Sequence, residues 1–404
     1  MPTHTAATGH RASVRNDGRA ILYVAGVADM VGTFDYWSRG EDDPRELAVT
    51  YSAQFWNTCH RLGFLGKAIA WSSLCRTASH ERQHVEERRI YWQGTCGAKY
   101  HLGKVVNNAR VLWWALRTRP MMVLVANPSH GWVLAPLRLT RIRVVATLHN
   151  ALWDSTKGPK KGLLGWLERF FYRHVCNTVL CVSDQVAKQA ESFMGGRTRT
   201  VQFRPSFQRS RFELRDRGIR GRDDVFTVLF AGRLVRAKGI FDLIDVADTL
   251  RREGTRVRFS VCGSGEDRGS LERAITARGL EDWFVLHGHC NADAMGDHLA
   301  AAHAVIVPTR SEYPEGMNKV VLEGILAGLP VISSSVCPAI EVGGQAVIAV
   351  EPNSVRGYAD AIRGLVDSED AYRARVTASH AVREQLFGED LSFGRAVEVA
   401  VGRL

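Results

Sequence analysis

The chain has 404 residues, 45% of them apolar and 24% charged, with a net charge of +11. That length exceeds one comfortable core and suits two α/β domains, and the apolar-to-charged balance excludes disordered and fibrous classes. The charge is uneven: residues 1–220 carry 33 Lys and Arg against 16 Asp and Glu, residues 221–404 carry 20 against 26, and the two halves therefore meet different partners.

Met1 to Arg19 contains His, Thr, Arg and Asp but no apolar stretch, which predicts a disordered leader and not a signal peptide. Lys67, Arg117 and Arg138 interrupt the most hydrophobic stretches before any reaches the roughly 18 residues needed to cross a bilayer. The expectation is a cytoplasmic protein.

From Ala20 to Val24 an apolar run ends at Ala25-Gly26 and gives way to a loop with Gly32-Thr33, the strand-then-glycine opening of a nucleotide-fold half. Lys104 to Arg117 has apolar residues at helical spacing, Pro120 breaks it, and Met121 to Ala126 reads as a buried strand. Val144 to Leu148 is a strand ending at His149-Asn150, where α/β sheets place ligands. Leu163 to His174 reads as a helix, Thr178 to Val182 as a strand, and Ser183 or Asp184 caps a helix over Gln185 to Phe193. This half is expected to be βα throughout.

A first Rossmann-like domain over 20–205 is followed by an Arg-, Asp- and Gly-rich linker over 206–224. The second half alternates: strand 225–231, helix 239–252, strand 256–262, helix 267–278, strand 283–287, helix 292–301, strand 304–308, helix 318–327, strand 330–334. Such alternation predicts a parallel sheet covered on both faces over 225–404, with the last helix free to pack back on the first domain.

Eight cysteines are scattered without a C-x-x-C pair, several inside strand-like runs, and are expected to be reduced, buried small hydrophobes. His287-Gly288-His289-Cys290 invites a metal reading, but no second ligand pair follows at zinc-site spacing, so no metal is expected. His287 and His289 end a strand where a nucleotide base would lie.

Phe230-Ala231-Gly232-Arg233-Leu234-Val235-Arg236-Ala237-Lys238-Gly239 puts Gly232 at a strand's carboxyl end, with Arg233 and Lys238 flanking a turn that opens a helix. A diphosphate needs this combination of close backbone approach, two fixed cations and a helix N-terminus. Further on, Glu315-Gly316-Met317-Asn318 precedes a helix that carries Glu323 and stops at Gly328, with Pro330 beyond. Positions eight apart on a helix lie roughly 12 Å apart, which fits two ends of an elongated ligand better than a glycosidase pair, whose carboxyls stand within about 5–9.5 Å. Glu323 stands among Val320, Val321, Leu322, Ile325 and Leu326, where a carboxylate is costly unless hydrogen-bonded, and a ribose diol would donate two such bonds. The competing reading is a Lys319–Glu323 salt bridge on an exposed strip. For Glu315 it is a favourable charge ahead of the first helical turn.

The G-R-x-x-x-x-K-G turn, with Glu-x7-Glu ahead of an A-G-x-P-V-I strand, resembles the retaining GT-B glycosyltransferases of family four, closely over 225–350 and in outline over the N-terminal half. The resemblance implies two Rossmann-like domains facing a central cleft, the first binding the acceptor. It implies a nucleoside diphospho-sugar donor bound without a metal or other cofactor. Gly232, Arg233 and Lys238 would hold the diphosphate and Glu323 the ribose. Glu315, with the amides near Gly316, Met317 and Asn318, would hold the sugar, and His149 would face the reacting centre from the first lobe. Gly32 belongs to the first glycine loop, which here is Gly26-Val27-Ala28-Asp29-Met30-Val31-Gly32 and not a Gly-Gly pair.

The basic first half, with Lys157, Lys160 and Lys161 running into Leu163, Leu164, Trp166, Leu167, Phe170 and Phe171, suggests an anionic membrane surface and a lipid-linked or saccharide acceptor. A sugar-nucleotide epimerase on the same scaffold is the nearer alternative. A basic nucleic-acid or membrane-surface binder without catalysis is the alternative of another class, and a nucleic-acid partner does not explain why the phosphate-type motifs lie in the acidic half.

Overall fold

The computed structural model describes residues 19–90, 96–195, 198–212 and 225–402. The expected leader, apart from Arg19, and positions 213–224 of the expected linker lie outside them.

The first lobe is built from β1 (Ala20–Val27), α1 (Met30–Ser38), β2 (Ala48–Val49), α2 (Tyr51–Arg61), β3 (Leu65–Trp71), β4 (Thr77–His80) and β5 (Gln83–Arg88). It continues through α3 (Gly97–Thr118), β6 (Met122–Ala126), β7 (Arg143–Leu148), α4 (Gly162–Phe170), β8 (Thr178–Cys181), α5 (Asp184–Phe193), β9 (Arg199–Gln202) and β10 (Ser206–Phe207). The second lobe has β11 (Phe226–Ala231), α6 (Asp242–Arg252), β12 (Val257–Cys262), α7 (Arg268–Ala277), β13 (Phe284–Gly288), α8 (Ala292–Ala301) and β14 (Ala304–Val307). After these come α9 (Lys319–Leu326), β15 (Val331–Ser334), α10 (Ala339–Gly343), β16 (Val347–Val350), α11 (Val355–Asp367), α12 (Glu369–Leu386) and α13 (Phe393–Gly402).

The first sheet has the order β4-β5-β3-β1-β6-β7-β8-β9 and the second β13-β12-β11-β14-β15-β16. All neighbours are parallel except β4 and β5. The strand order reverses between β1 and β6 in one sheet and between β11 and β14 in the other, and such switch points open a crevice beyond the carboxyl ends of the strands. Apolar runs such as Val144, Val145 and Ala146 on β7, or Val305 and Ile306 on β14, are wholly buried because helices cover both sheet faces.

The first lobe departs from pure βα alternation. β4 and β5 form an antiparallel edge hairpin, and β2 pairs antiparallel with β10, so the start of the expected linker is a short ribbon tied to Ala48–Val49. Polar sequences hid both: β4 reads Thr-Ala-Ser-His on an exposed edge, and β5 buries Gln83 and Glu87 in place of apolar residues. The helix expected over Leu163–His174 is α-helical only to Phe170, and a π turn over Phe171–Val175 buries Phe171, Tyr172 and Val175. Within α4 itself only Gly165 is buried.

α13 returns to the first lobe and packs on α2 and β9. Gly394 N donates to Gln54 Oε1 at 3.2 Å, which fixes its entry. The cysteines are all free, and Cys59, Cys176, Cys181, Cys262 and Cys337 are buried as expected of small hydrophobes, whereas Cys75 and Cys96 are exposed and Cys290 is half-buried.

Candidate active site

The loop after β11 and the loop after β14 flank the switch point of the second sheet, so Gly232, Arg233 and Lys238 come from one side of it and Glu315, Gly316, Met317 and Asn318 from the other. Gly239 joins the two loops. Its φ is +77°, and a Cβ there would lie 2.0 Å from the Pro308 carbonyl oxygen, so only glycine permits the approach. Arg310 N donates to the Ala237 carbonyl at 3.0 Å, and the Arg310 guanidinium binds Asp242 of α6 at 2.7 Å.

Lys238 is ion-paired with Glu315, both side chains well buried, and its ammonium sits 4.1 Å above the Tyr313 ring. Arg233 is exposed and has no partner among the described residues. The nearby helix N-terminus is not the expected one. A 3-10 turn occupies Arg236–Lys238, α6 starts only at Asp242, and its first turn carries Asp242 and Asp245, which oppose an anion.

The helix end that suits an anion belongs to α9. Asn318 caps it, its side chain accepting from Val320 N at 3.1 Å. Among the described residues the N–H groups of Gly316, Met317 and Asn318 have no acceptor. Glu323, in the second turn of α9, is 7% exposed, and burial lifts its carboxyl to about 7 against a smaller opposing effect of Lys319. The alternative Lys319–Glu323 bridge is not formed: Lys319 Nζ reaches Glu46 of the first lobe at 3.3 Å. Glu315 lies in the loop ahead of α9, so the helical ruler does not set its separation from Glu323.

His149 follows β7 and meets this loop from the first lobe. Its N–H donates to Asn127 Oδ1 at 2.8 Å, and its Nε2 lies 3.0 Å from Thr147 Oγ1. The ring is enclosed by Tyr51, Phe203 and Phe393, with centroids at 4.4, 5.3 and 5.7 Å. Burial, with a lesser effect of Lys319, depresses the imidazole to about 3, so it is neutral near pH 7. Its Nδ1 is buried without a partner among the described residues.

The lobes touch here. Gly316 packs against the His149 carbonyl, Ser155 Oγ donates to the Ser311 carbonyl at 2.8 Å, and Met317 packs on the cores of both lobes. Gly32 is placed differently from the sequence expectation: its N–H is taken by Asp29 Oδ1 at 2.9 Å as part of the α1 cap, so that amide does not point free toward a phosphate. Asp29 is itself ion-paired with Arg45 and Arg76, and Glu87 beneath accepts from Val31 N at 3.0 Å. Sequence reading missed this network and the aromatic enclosure of His149, because their members come from α1, α2, β5, α13 and loops that no local pattern joins. His287, expected at the base end, has Nε2 3.0 Å from Ser260 Oγ. A separate cavity of about 560 Å³, lined by residues including Thr33, Asp43, Glu46, Ser206 and Phe387, involves none of the donor-loop residues.

Residues 213–381 match the family described as glycosyl transferases group 1, and residues 49–205 match the glycosyl transferase 4-like domain. Alpha-D-kanosaminyltransferase of Streptomyces kanamyceticus is 31% identical over 163 residues, covering 40% of this chain and 41% of the relative. Glycogen synthase of Mycobacterium tuberculosis is 26% identical over 263 residues, covering 63% of this chain and 61% of the relative. The chain thus matches less than two thirds of the length of these curated relatives. Among solved structures, sucrose-phosphate synthase from Thermosynechococcus elongatus superposes with a TM-score of 0.71 at 15% identity, covering 95% of this chain and 98% of the other. The Anabaena protein HepE, solved in complex with UDP, gives 0.67 at 15% identity, covering 95% and 100%. These likenesses concern the fold.

Proposed function

We propose that this chain, which belongs to the group 1 glycosyltransferases and has the GT-B fold, moves a hexose-type sugar from a nucleoside diphospho-sugar to a lipid-linked or saccharide acceptor with retention of anomeric configuration. The observation that carries the reading is the Lys238–Glu315 pair beside the unpartnered amides of Gly316, Met317 and Asn318, facing His149 across the lobes. Cations, free N–H groups and a carboxylate in one crevice suit a ligand that is anionic at one end and hydroxyl-rich at the other.

In this reading Arg233 and Lys238 hold the diphosphate, Glu323 accepts from the ribose hydroxyls, and Glu315 accepts from the sugar. The bond between the anomeric carbon and the phosphate oxygen breaks, the acceptor oxygen bonds to that carbon on the same face, and the acceptor proton passes to the departing phosphate. Fixed positive charge stabilises the leaving group, so neither a general acid nor a metal is required at that step. His149, neutral and shielded, shapes the reacting face with its backbone and its free Nδ1.

The UDP complex of HepE makes uridine diphosphate the first ligand to try. The test incubates the protein with labelled nucleoside diphospho-sugars, with and without acceptors, and reads products by NMR. Acceptor-dependent transfer with the donor's anomeric configuration supports the reading. Sugar inversion at a ring carbon without an acceptor would make the protein an epimerase.

The acceptor side carries a second observation. Leu163 and Trp166 of α4 are 71% and 58% exposed, and Leu139 nearby is 92% exposed. α3, which exposes Leu102 and Trp113, packs against the same Gly131–Leu139 turn as α4 does. Lys157 and Lys160 precede α4 in the chain and are paired with Asp154 at 3.7 Å and Glu168 at 2.7 Å, and exposed apolar side chains on a lobe rich in cations suit an anionic bilayer. No helix among the described residues is long and apolar enough to cross a membrane.

A further inference from the structure

Three side chains that lie far apart in sequence converge at the edge of the second sheet. Cys262 ends β12, Cys290 lies just past β13, and His298 stands on α8. Two sulfurs and one imidazole nitrogen all lie within 4.8 Å of one another, and no other such trio of His, Cys, Asp or Glu occurs among the described residues.

The local backbone builds this arrangement. The β12–β13 register slips so that Cys262 stands opposite Gly288, and Gly263 N donates to the Gly288 carbonyl at 2.6 Å. Cys290 Sγ donates to the same Gly288 carbonyl at 3.6 Å. Asn291 then caps α8, accepting from Ala294 N at 2.9 Å, which fixes the helix and with it His298. The His287 ring packs 4.0 Å from that of His298 and restrains it. Cys262 is buried in the apolar cluster with Ala292, Met295 and Leu299, whereas Cys290 and His298 are half-exposed, so the trio has a firm floor and an open side.

We propose that Cys262, Cys290 and His298 form a binding site for a borderline-soft divalent cation, zinc above all, with the fourth position left to water. Two thiolates and an imidazole are the ligand types that zinc selects, and three protein ligands with an open place are a common tetrahedral arrangement. Binding releases two thiol protons, so the two sulfur charges balance the cation. The ion would fasten the loops after β12 and β13 to α8 beside the crevice. Its three ligands are not diphosphate residues, although the Cys262 carbonyl accepts from Gly232 N at 3.0 Å, and the site does not depend on the proposed transfer.

The test uses the full chain, purified with reductant, stripped with a chelator and returned to zinc or cobalt. Zinc retained through gel filtration, a zinc-dependent rise in thermal midpoint, and a thiolate-to-cobalt charge-transfer band are expected. Cys290→Ser and His298→Gln should each weaken zinc retention and alter the band, and Cys75→Ser, at an exposed cysteine elsewhere, should leave both unchanged. Folded wild-type protein with free thiols that binds neither ion overturns the proposal. So does an identical cobalt spectrum in the Cys290 and His298 variants, or a Cys262–Cys290 disulfide in protein that takes no zinc after reduction.

Discussion

Gly316 stands so close to the main chain of His149 that a Cβ at position 316 would lie 2.1 Å from the His149 carbonyl oxygen. The two residues belong to different lobes, so this contact fixes how the crevice closes at the end proposed above for the sugar. The opposing atoms are backbone and cannot rotate aside. Gly316→Ala is therefore expected to displace the α9 loop from His149 and lower kcat/KM on the order of a hundredfold, the usual scale for about 1 Å of misplacement. Thermal denaturation should show a folded protein. Wild-type turnover in the variant would remove the contact from any part in the reaction.

Arg233 and Lys238 should not contribute equally to binding. Lys238 already faces Glu315, whereas Arg233 has no partner among the described residues. Arg233→Ala is expected to weaken a nucleoside diphosphate by roughly tenfold, and Lys238→Ala by more, because its loss also leaves the buried Glu315 unpaired against the anion. Glu315→Gln should leave nucleotide affinity unchanged or tighter while turnover collapses. Isothermal titration paired with steady-state rates checks the set, and equal losses in all three variants would contradict it.

The buried carboxyl of Glu323 gives a pH signature. It titrates near about 7 in the fold against an ordinary 4.5, so folding takes up a proton between those values. Its contribution to stability is present in full below about 4.5 and is lost as pH rises through about 7. Glu323→Gln should flatten that decline in thermal midpoint. In the wild type, nucleotide affinity should rise over the same upper range, since ribose hydroxyls donate to the ionised carboxylate. An unchanged pH profile in the variant would place the titration elsewhere.

His149 behaves oppositely. Its imidazole, depressed to about 3 from 6.5, adds stability that is complete above about 6.5 and is lost as pH falls toward about 3. NMR should show its ring neutral at about pH 5. A His149 transition near the ordinary value would mean that the aromatic enclosure is open to solvent.

What could be read from the residues follows from range. The Gly232–Gly239 turn, the capped start of α9 and the strands of the second sheet declare themselves within ten or twenty neighbours, through glycine, capping and apolar runs. β4 and β5 stayed hidden because polar residues build an edge hairpin, and α6 began late because Arg236–Lys238 closes a 3-10 turn first. The pairing of Lys238 with Glu315, and the meeting of Cys262 with Cys290 and His298, join residues from separate βα units. Only the strand order brings those units together.

The basic face of the first lobe yields the last expectation. Were α4 an ordinary crossover helix, its apolar residues would face the sheet, yet Leu163, Leu164 and Trp166 are exposed and the π turn over Phe171–Val175 buries the aromatic residues in their place. Lys157, Lys161 and Arg138 stand near the same outward side chains in sequence, and each surface cation adds about 1 kcal/mol near acidic lipid. Vesicle sedimentation should show the protein bound to anionic and not to zwitterionic lipid, with binding reduced as salt shortens the screening length. Leu163→Ser with Trp166→Ser should abolish binding at moderate salt while transfer to a soluble acceptor analogue persists. If the wild type stays in the supernatant with anionic vesicles at low salt, the acceptor is a soluble saccharide, and the exposed apolar residues of α3 and α4 meet another protein surface.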